Sequence, residues 1–223
     1  MLNSIKKKLR KYKIFRLLIY KIKSEYLIFK KFNFLNKKSI FLDIGANIGL
    51  VSEVINDIYG CKIYCYEPHP GAFKILENKF SKFNNIYLIN MAVSNINKSS
   101  NLFLHKNSDI NKLNDVTLSE ASSLDENKSN IDFKKSILVQ TIDIKNVIDM
   151  FDYIDCVKID IEGHEYEILP YIFQNKNKIG KVFCEFHGSL SKKNANLHLK
   201  KSYDQTKNYI KKNNLENWII DWI

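Results

Sequence analysis

The chain has 223 residues, 45% hydrophobic and 13% aromatic, with a formal net charge of +11. That composition describes a folded chain with a sizeable core and excludes a disordered one, and no apolar run approaches the ~18 residues of a membrane span. The charge is local: residues 1–38 carry thirteen Lys/Arg against the single acid Glu25, while the other 22 basic and 23 acidic residues nearly cancel. This argues against a basic face built to hold nucleic acid.

Residues 1–36 are expected to form a basic helical extension, with Ile5, Leu9, Tyr12, Phe15, Leu18, Ile22 and Phe29 at roughly helical spacing. The simpler reading is a helical cap with a solvated lysine face; the functional one is peripheral contact with an anionic membrane surface. Lysines interrupt its apolar stretches and no small-residue cleavage site follows, unlike a signal peptide. The expected location is cytoplasmic, with the inner face of the membrane as the place for such contact.

Residues 37–223 are expected to form the main domain. Its apolar runs predict strands near 40–44, 62–66, 86–91, 154–160 and 180–186, and helices near 49–59, 71–81, 164–174 and 194–212. Residues 97–135 are polar and read as irregular, ending at a strand over Ile137 to Ile142; a last strand is expected over Trp218–Ile223. Long irregular segments in compact domains are often functional, so 97–135 is expected to be either a lid over the acceptor, with Ser122 and Ser123 offering hydroxyls, or a surface insertion. Alternating strands and helices imply an α/β domain with a mostly parallel sheet, which binds ligands beyond the carboxyl ends of its strands. Cys61, Cys65, Cys156 and Cys184 fit no zinc spacing and read as core residues of a reducing compartment.

Four strand ends carry the chemistry. The first, Asp43-Ile-Gly45-Ala46-Asn47-Ile-Gly49, is a strand-to-helix corner, and Glu67 follows eighteen residues later at the end of the next apolar run. Such a unit binds adenosine: the corner brings backbone N–H groups to the ligand and the acid accepts from ribose hydroxyls. A nicotinamide corner would place glycines where Asn47 stands and one turn later, because a pyrophosphate must sit on the helix N-terminus. S-adenosylmethionine needs less clearance; its carboxylate can take the N–H groups while Asp43 faces its ammonium. Tyr66-Glu67-Pro68-His69 is the second corner. The third, Lys158-Ile-Asp160-Ile-Glu162-Gly163-His164-Glu165, puts Lys158 and Asp160 on one face of a strand, where burial demands that they pair or meet a ligand. The fourth puts Glu185 and His187 on one face of its neighbour.

Taken together, these motifs resemble the FkbM family of S-adenosylmethionine-dependent methyltransferases. The matching residues are Asp43–Gly49, Tyr66–Pro68, Met91–Ser94, Ala121–Leu124, Thr141–Asp143, Lys158–Gly163 with Glu165, and Glu185-x-His187. The resemblance implies a Rossmann-like class I fold with a seven-stranded, mostly parallel sheet. It also implies cofactor contacts at Asp43, Gly45, Ala46, Asn47, Gly49, Glu67, Pro68 and Asp160, with Ala92 and Val93 beside the adenine. The acceptor it implies is a hydroxyl, often on a sugar or natural-product scaffold. His164 stands where the family more often has a small residue.

Methyl transfer requires the acceptor oxygen to be aligned and its proton removed. The candidates for that role are His187, Asp160, Glu185 and His164, with Lys158 as partner of Asp160. His187 is favoured because an unperturbed imidazole is mostly neutral at cellular pH. A second reading makes Asp160, Glu162, Glu185 and His187 a Mg²⁺ or Mn²⁺ site that acidifies a sugar diol. The expected substrate is a sugar, nucleotide sugar or surface-glycan precursor. The alternatives are a non-sugar acceptor or a nicotinamide-dependent sugar oxidoreductase. A base methyltransferase is not expected, since no aromatic platform follows the third corner to stack a flipped base.

Overall fold

The computed structural model describes residues 30–113, 116, 119–188 and 197–222. The helical spacing expected over Ile5–Phe29, and the first turn expected of the helix at 194–212, lie outside them.

Six strands form the main sheet: β1 (Ile40–Ile44), β2 (Lys62–Tyr66), β3 (Ile86–Ile89), β7 (Ile154–Ile159), β8 (Ile179–Cys184) and β9 (Ile219–Asp221). Their order is β3-β2-β1-β7-β8-β9 and every pairing is parallel. This is a doubly wound, Rossmann-like sheet whose strand order reverses between β1 and β7. β1 is apolar almost throughout because both faces are covered. Phe41 points into a core with Val54, Ile55, Leu76 and Phe80 of helices α1 (Leu50–Tyr59) and α2 (Pro70–Phe80). Its neighbour Leu42 points the other way, to residues of α3 (Ile144–Asp149), α4 (Glu165–Gln174) and α5 (Lys200–Lys212). All four cysteines are buried. Phe32 and Leu35, on the extension side of the expected boundary at 36, are buried against Phe41 and Phe183. No helix among the described residues is long and apolar enough to cross a membrane.

The expected single sheet of seven strands is corrected to this six-stranded sheet and a second one of three. β3 stops at Ile89, and the chain turns into β4 (Ala92–Ser94), which leaves the main sheet to pair with β6 (Ile131–Asp143). β6 also pairs antiparallel with β5 (Lys98–His105). The segment 97–135 is thus a strand at each end, with only its middle irregular. The reason is the pattern: β5 buries only Leu102 and Leu104 among Lys, Ser and Asn, and the half-exposed face hides the alternation.

Parallel register sets the site. Ile44 aligns with Tyr66 and with Ile159, and Ile159 with Cys184. The next residues of these strands, Gly45, Glu67, Asp160 and Glu185, therefore emerge side by side along one sheet edge.

Candidate active site

One cavity of about 900 Å³ lies along that edge and is lined by residues of all four corners. At the first corner the N–H groups of Gly45 and Ala46 both donate to Tyr66 O at 3.0 Å. The chain then passes through positive φ at Gly45 (81°) and Asn47 (48°). Gly45 has no substitute here, because a Cβ would lie 1.9 Å from the carbonyl oxygen of Asp160. The curl aims the Asn47 N–H at Glu67 Oε2, 2.8 Å away, while Oε1 of the same carboxyl accepts the His69 N–H at 2.7 Å. Glu67 is only 6% exposed. Burial pushes its carboxyl from the ordinary 4.5 up to about 7, the two N–H groups offsetting only part of the cost.

Asp43, expected to face the ligand, is fully buried and outside the cavity wall. It accepts the Ser52 hydroxyl at 2.6 Å and pairs with Lys158 at 3.2 Å. Lys158 also pairs with Asp160 at 3.5 Å and donates to Gly45 O at 2.9 Å. Burial opposes the ammonium charge, but the two carboxylates outweigh it and raise the lysine pKa. Lys158 thus ties the first corner to the third.

At the other end Asp160, Glu185 and His187 each offer a ligand atom within 4.8 Å of the others. His187 Nε2 is 3.3 Å from Glu162 Oε2 and 3.8 Å from Glu185 Oε1; Nδ1 is 3.4 Å from Glu165 Oε1, which also accepts the His187 N–H at 2.7 Å. Burial alone would lower the imidazole pKa, yet Glu162 and Glu165 raise it to about 10. The shift favours the imidazolium and so runs against the neutral His187 expected as base. Glu162, at φ 56°, is bound by Lys128 as well as His187. Burial works against its charge, but these partners hold its pKa below the ordinary value. Of the four expected metal ligands, the structure leaves Glu162 outside the cluster.

The pattern of residues at the corners has its counterpart in a known family. A family model described as the methyltransferase FkbM domain matches residues 43–214. The chain belongs to that family. No curated protein matches it. Solved structures similar to parts of the chain include the TYW2 protein of Pyrococcus horikoshii in complex with MeSAdo, at 23% identity over 26% of this chain and 23% of that one, TM-score 0.25. An rRNA methylase of Streptococcus thermophilus matches at 20% identity over 26% of this chain and 36% of its own, TM-score 0.24. The precorrin-6y C5,15-methyltransferase of Geobacter metallireducens matches at 12% identity, covering 82% of this chain and 69% of that one, TM-score 0.44. This chain spans about a quarter to a third of the length of the first two.

Within the FkbM domain, Gly45, Ala46, Asn47, Glu67, Pro68, Ala92, Val93, Lys158, Asp160, Glu162, His164, Glu185 and His187 all line the cavity. Gly49 does not; it caps α1 in the left-handed conformation. His164 Nε2 lies 2.9 Å from Ser94 Oγ of β4, and burial lowers its pKa although Glu167, Glu165 and Asp125 work against it. Ser123, expected with Ser122 to offer a hydroxyl to the acceptor, lines the cavity and donates its own proton to Glu162 O at 2.7 Å.

Sequence reasoning missed Ser119 and Lys128. The Ser119 hydroxyl donates to Asn47 Oδ1 at 3.1 Å, tying the turn at Ser119–Ala121 to the first corner. Lys128 is 5% exposed and donates to Ala121 O at 2.8 Å and to Glu162. Nothing marks Lys128 among so many lysines; the lid expected over 97–135 and the match at Ala121–Leu124 pointed to this segment but not to this residue.

Proposed function

We propose that the chain transfers a methyl group from S-adenosylmethionine to a hydroxyl of a sugar or surface-glycan precursor. The observation that carries this reading is a single cavity joining a nucleoside corner to a cluster of carboxylates. The cofactor fits the residues present. Glu67 offers a buried carboxyl that hydroxyl donors would satisfy, the Gly45–Asn47 curl offers backbone close to the ligand, and Ala92 and Val93 supply an apolar wall. When bound, it supplies a methyl group already activated on a sulfonium.

The protein's own task is alignment, which can be worth roughly 7–11 kcal/mol, and proton removal, worth about 10²–10⁴-fold. The imidazolium of His187 cannot accept a proton. In this reading Glu185 and Asp160 accept it, while His187 holds Glu185 and Glu162 in place. Calorimetry against S-adenosylmethionine and NAD tests the cofactor, and preferential NAD binding would end the proposal. Glu185→Gln tests the chemistry. Its kcat is expected to fall about 10²–10⁴-fold with cofactor affinity unchanged, and undiminished turnover would remove Glu185 from the role.

The close approach of Asp160, Glu185 and His187 favours one second reading. Those three side chains would hold Mg²⁺ or Mn²⁺, and the cation would lower the pKa of the acceptor hydroxyl. Activity abolished by EDTA and restored by Mg²⁺ would support it; activity indifferent to both would leave the carboxylates as bases.

A further inference from the structure

We propose that the cavity wall formed by residues 121–130 is the acceptor subsite and selects an uncharged, polyhydroxylated ring, which Ser122 Oγ and Asn130 Oδ1 bind through its hydroxyls. This rests on the methyl-transfer reading of the same cavity.

The first observation is two unsatisfied atoms. Ser122 Oγ and Asn130 Oδ1 are shielded from solvent and have no hydrogen-bond partner among the described residues, although both residues line the cavity. Buried polar atoms without partners are costly and uncommon in native proteins, so each calls for an explanation. Both side chains turn about single bonds between staggered or broad wells, so a ligand in the cavity needs no backbone change to meet them. That backbone is held. Ser123 exchanges both backbone hydrogen bonds with Phe103, at 2.8 and 3.0 Å, Lys128 donates to Ala121 O, and Asn130 O accepts the Lys106 N–H at 3.0 Å.

The second observation is position. Ser123 and Lys128 flank these two residues and both bind Glu162, which lies 3.3 Å from His187. The unsatisfied atoms therefore belong to a segment anchored on Glu162, next to the carboxylate cluster. Leu102 and Leu124 line the same wall. An apolar wall beside scattered hydroxyl acceptors matches a sugar ring, with its C–H face and its equatorial hydroxyls.

The third observation is charge. Each cation among the described lining residues is already paired: Lys158 with Asp43 and Asp160, His187 with Glu162 and Glu165, Lys128 with Glu162. Burial and nearby Lys106, Lys128 and Lys135 lower the pKa of His105, leaving that ring neutral too. A phosphate or sugar diphosphate would find no unpaired cation among them, and would face the carboxylates of Asp160, Glu162 and Glu185. The ring that is methylated is thus a neutral glycoside rather than a nucleotide sugar.

The experiment uses the full chain, labelled S-adenosylmethionine, and a panel of neutral methyl glycosides beside their phosphates and nucleotide diphosphates. Methylation is expected among the neutral glycosides. Ser122→Ala and Asn130→Ala are each expected to raise the glycoside KM about tenfold, the worth of one hydrogen bond, with cofactor affinity and melting temperature unchanged. Unchanged KM in both variants overturns the assignment, as does preference for the phosphorylated sugars or an equal loss of cofactor binding. Wild-type protein that binds S-adenosylmethionine but methylates no glycoside overturns the subsite alone. Failure to bind the cofactor brings down the reading beneath it as well.

Discussion

Replacing Glu67 with Gln separates the burial of this carboxyl from its use. Burial raises its pKa from 4.5 to about 7, so between those values the folded protein binds a proton that the unfolded chain has released. Native stability therefore falls as pH rises through this window and levels off above it. At about 1.36 kcal/mol per pH unit the contribution is about 3 kcal/mol. Gln cannot ionise and lacks this slope. It does lose one acceptor: its amide group must face either the Asn47 N–H or the His69 N–H, which Glu67 binds at 2.8 and 2.7 Å, at a cost of about 1–3 kcal/mol at every pH. Glu67→Gln should be less stable than wild type at pH 4.5 and level with it or better at pH 8, the gap moving by about 3 kcal/mol. Urea unfolding at steps of pH with constant m measures this. Other titrating groups are common to both proteins and drop out, apart from Lys158 and Asp43, which couple weakly to Glu67. Saturating S-adenosylmethionine should restore wild type at pH 8 more than the variant, because ribose hydroxyls favour the carboxylate. A gap that stays flat from pH 4.5 to 8 would refute the argument, since Glu67 would then be ionised throughout in the free protein.

Lys158→Met leaves Asp43 buried without its cation and should cost about 3–5 kcal/mol in chemical unfolding, of which added Asp43→Asn recovers part. Full stability in the single variant would mean that the pair contributes nothing. His187 is raised from 6.5 to about 10 by Glu162 and Glu165, so its pairing stabilises fully below pH 6.5 and is lost as pH rises through about 10. His187→Gln should therefore fall furthest behind wild type below pH 6.5, with the gap closing towards pH 10; a gap independent of pH would assign a neutral imidazole. Gly71→Ala places a Cβ 1.8 Å from the carbonyl oxygen of Leu113. It should destabilise the protein by about 1–3 kcal/mol and speed proteolysis beside Leu113, and unchanged cleavage there would show that Leu113 does not rest on α2.

The four corners were legible because each is a local feature of the chain. An apolar run of five or six residues ends at an ionisable one, and parallel pairing then brings those ends to one edge without further instruction. Glu67, Asp160 and Glu185 could be picked out on that ground alone, and Asn47 and His187 by standing two residues past a strand-end Gly or Glu. The side sheet was not legible, because β5 buries two leucines among polar residues and β4 is only three residues long. Protonation states were hidden for a different reason. His187 lies two residues from Glu185, which suggests a base beside a carboxylate. Its charge is set instead by Glu162 and Glu165, more than twenty residues earlier on the loop after β7 and the first turn of α4. Glu162 is held in turn by His187 and by Lys128, the latter from a segment whose sequence marks no lysine over another. A residue's identity is local, but the charge it carries sums contributions from every element packed against it. In this chain the step from a plausible base to an imidazolium was decided by two carboxylates of a neighbouring strand end.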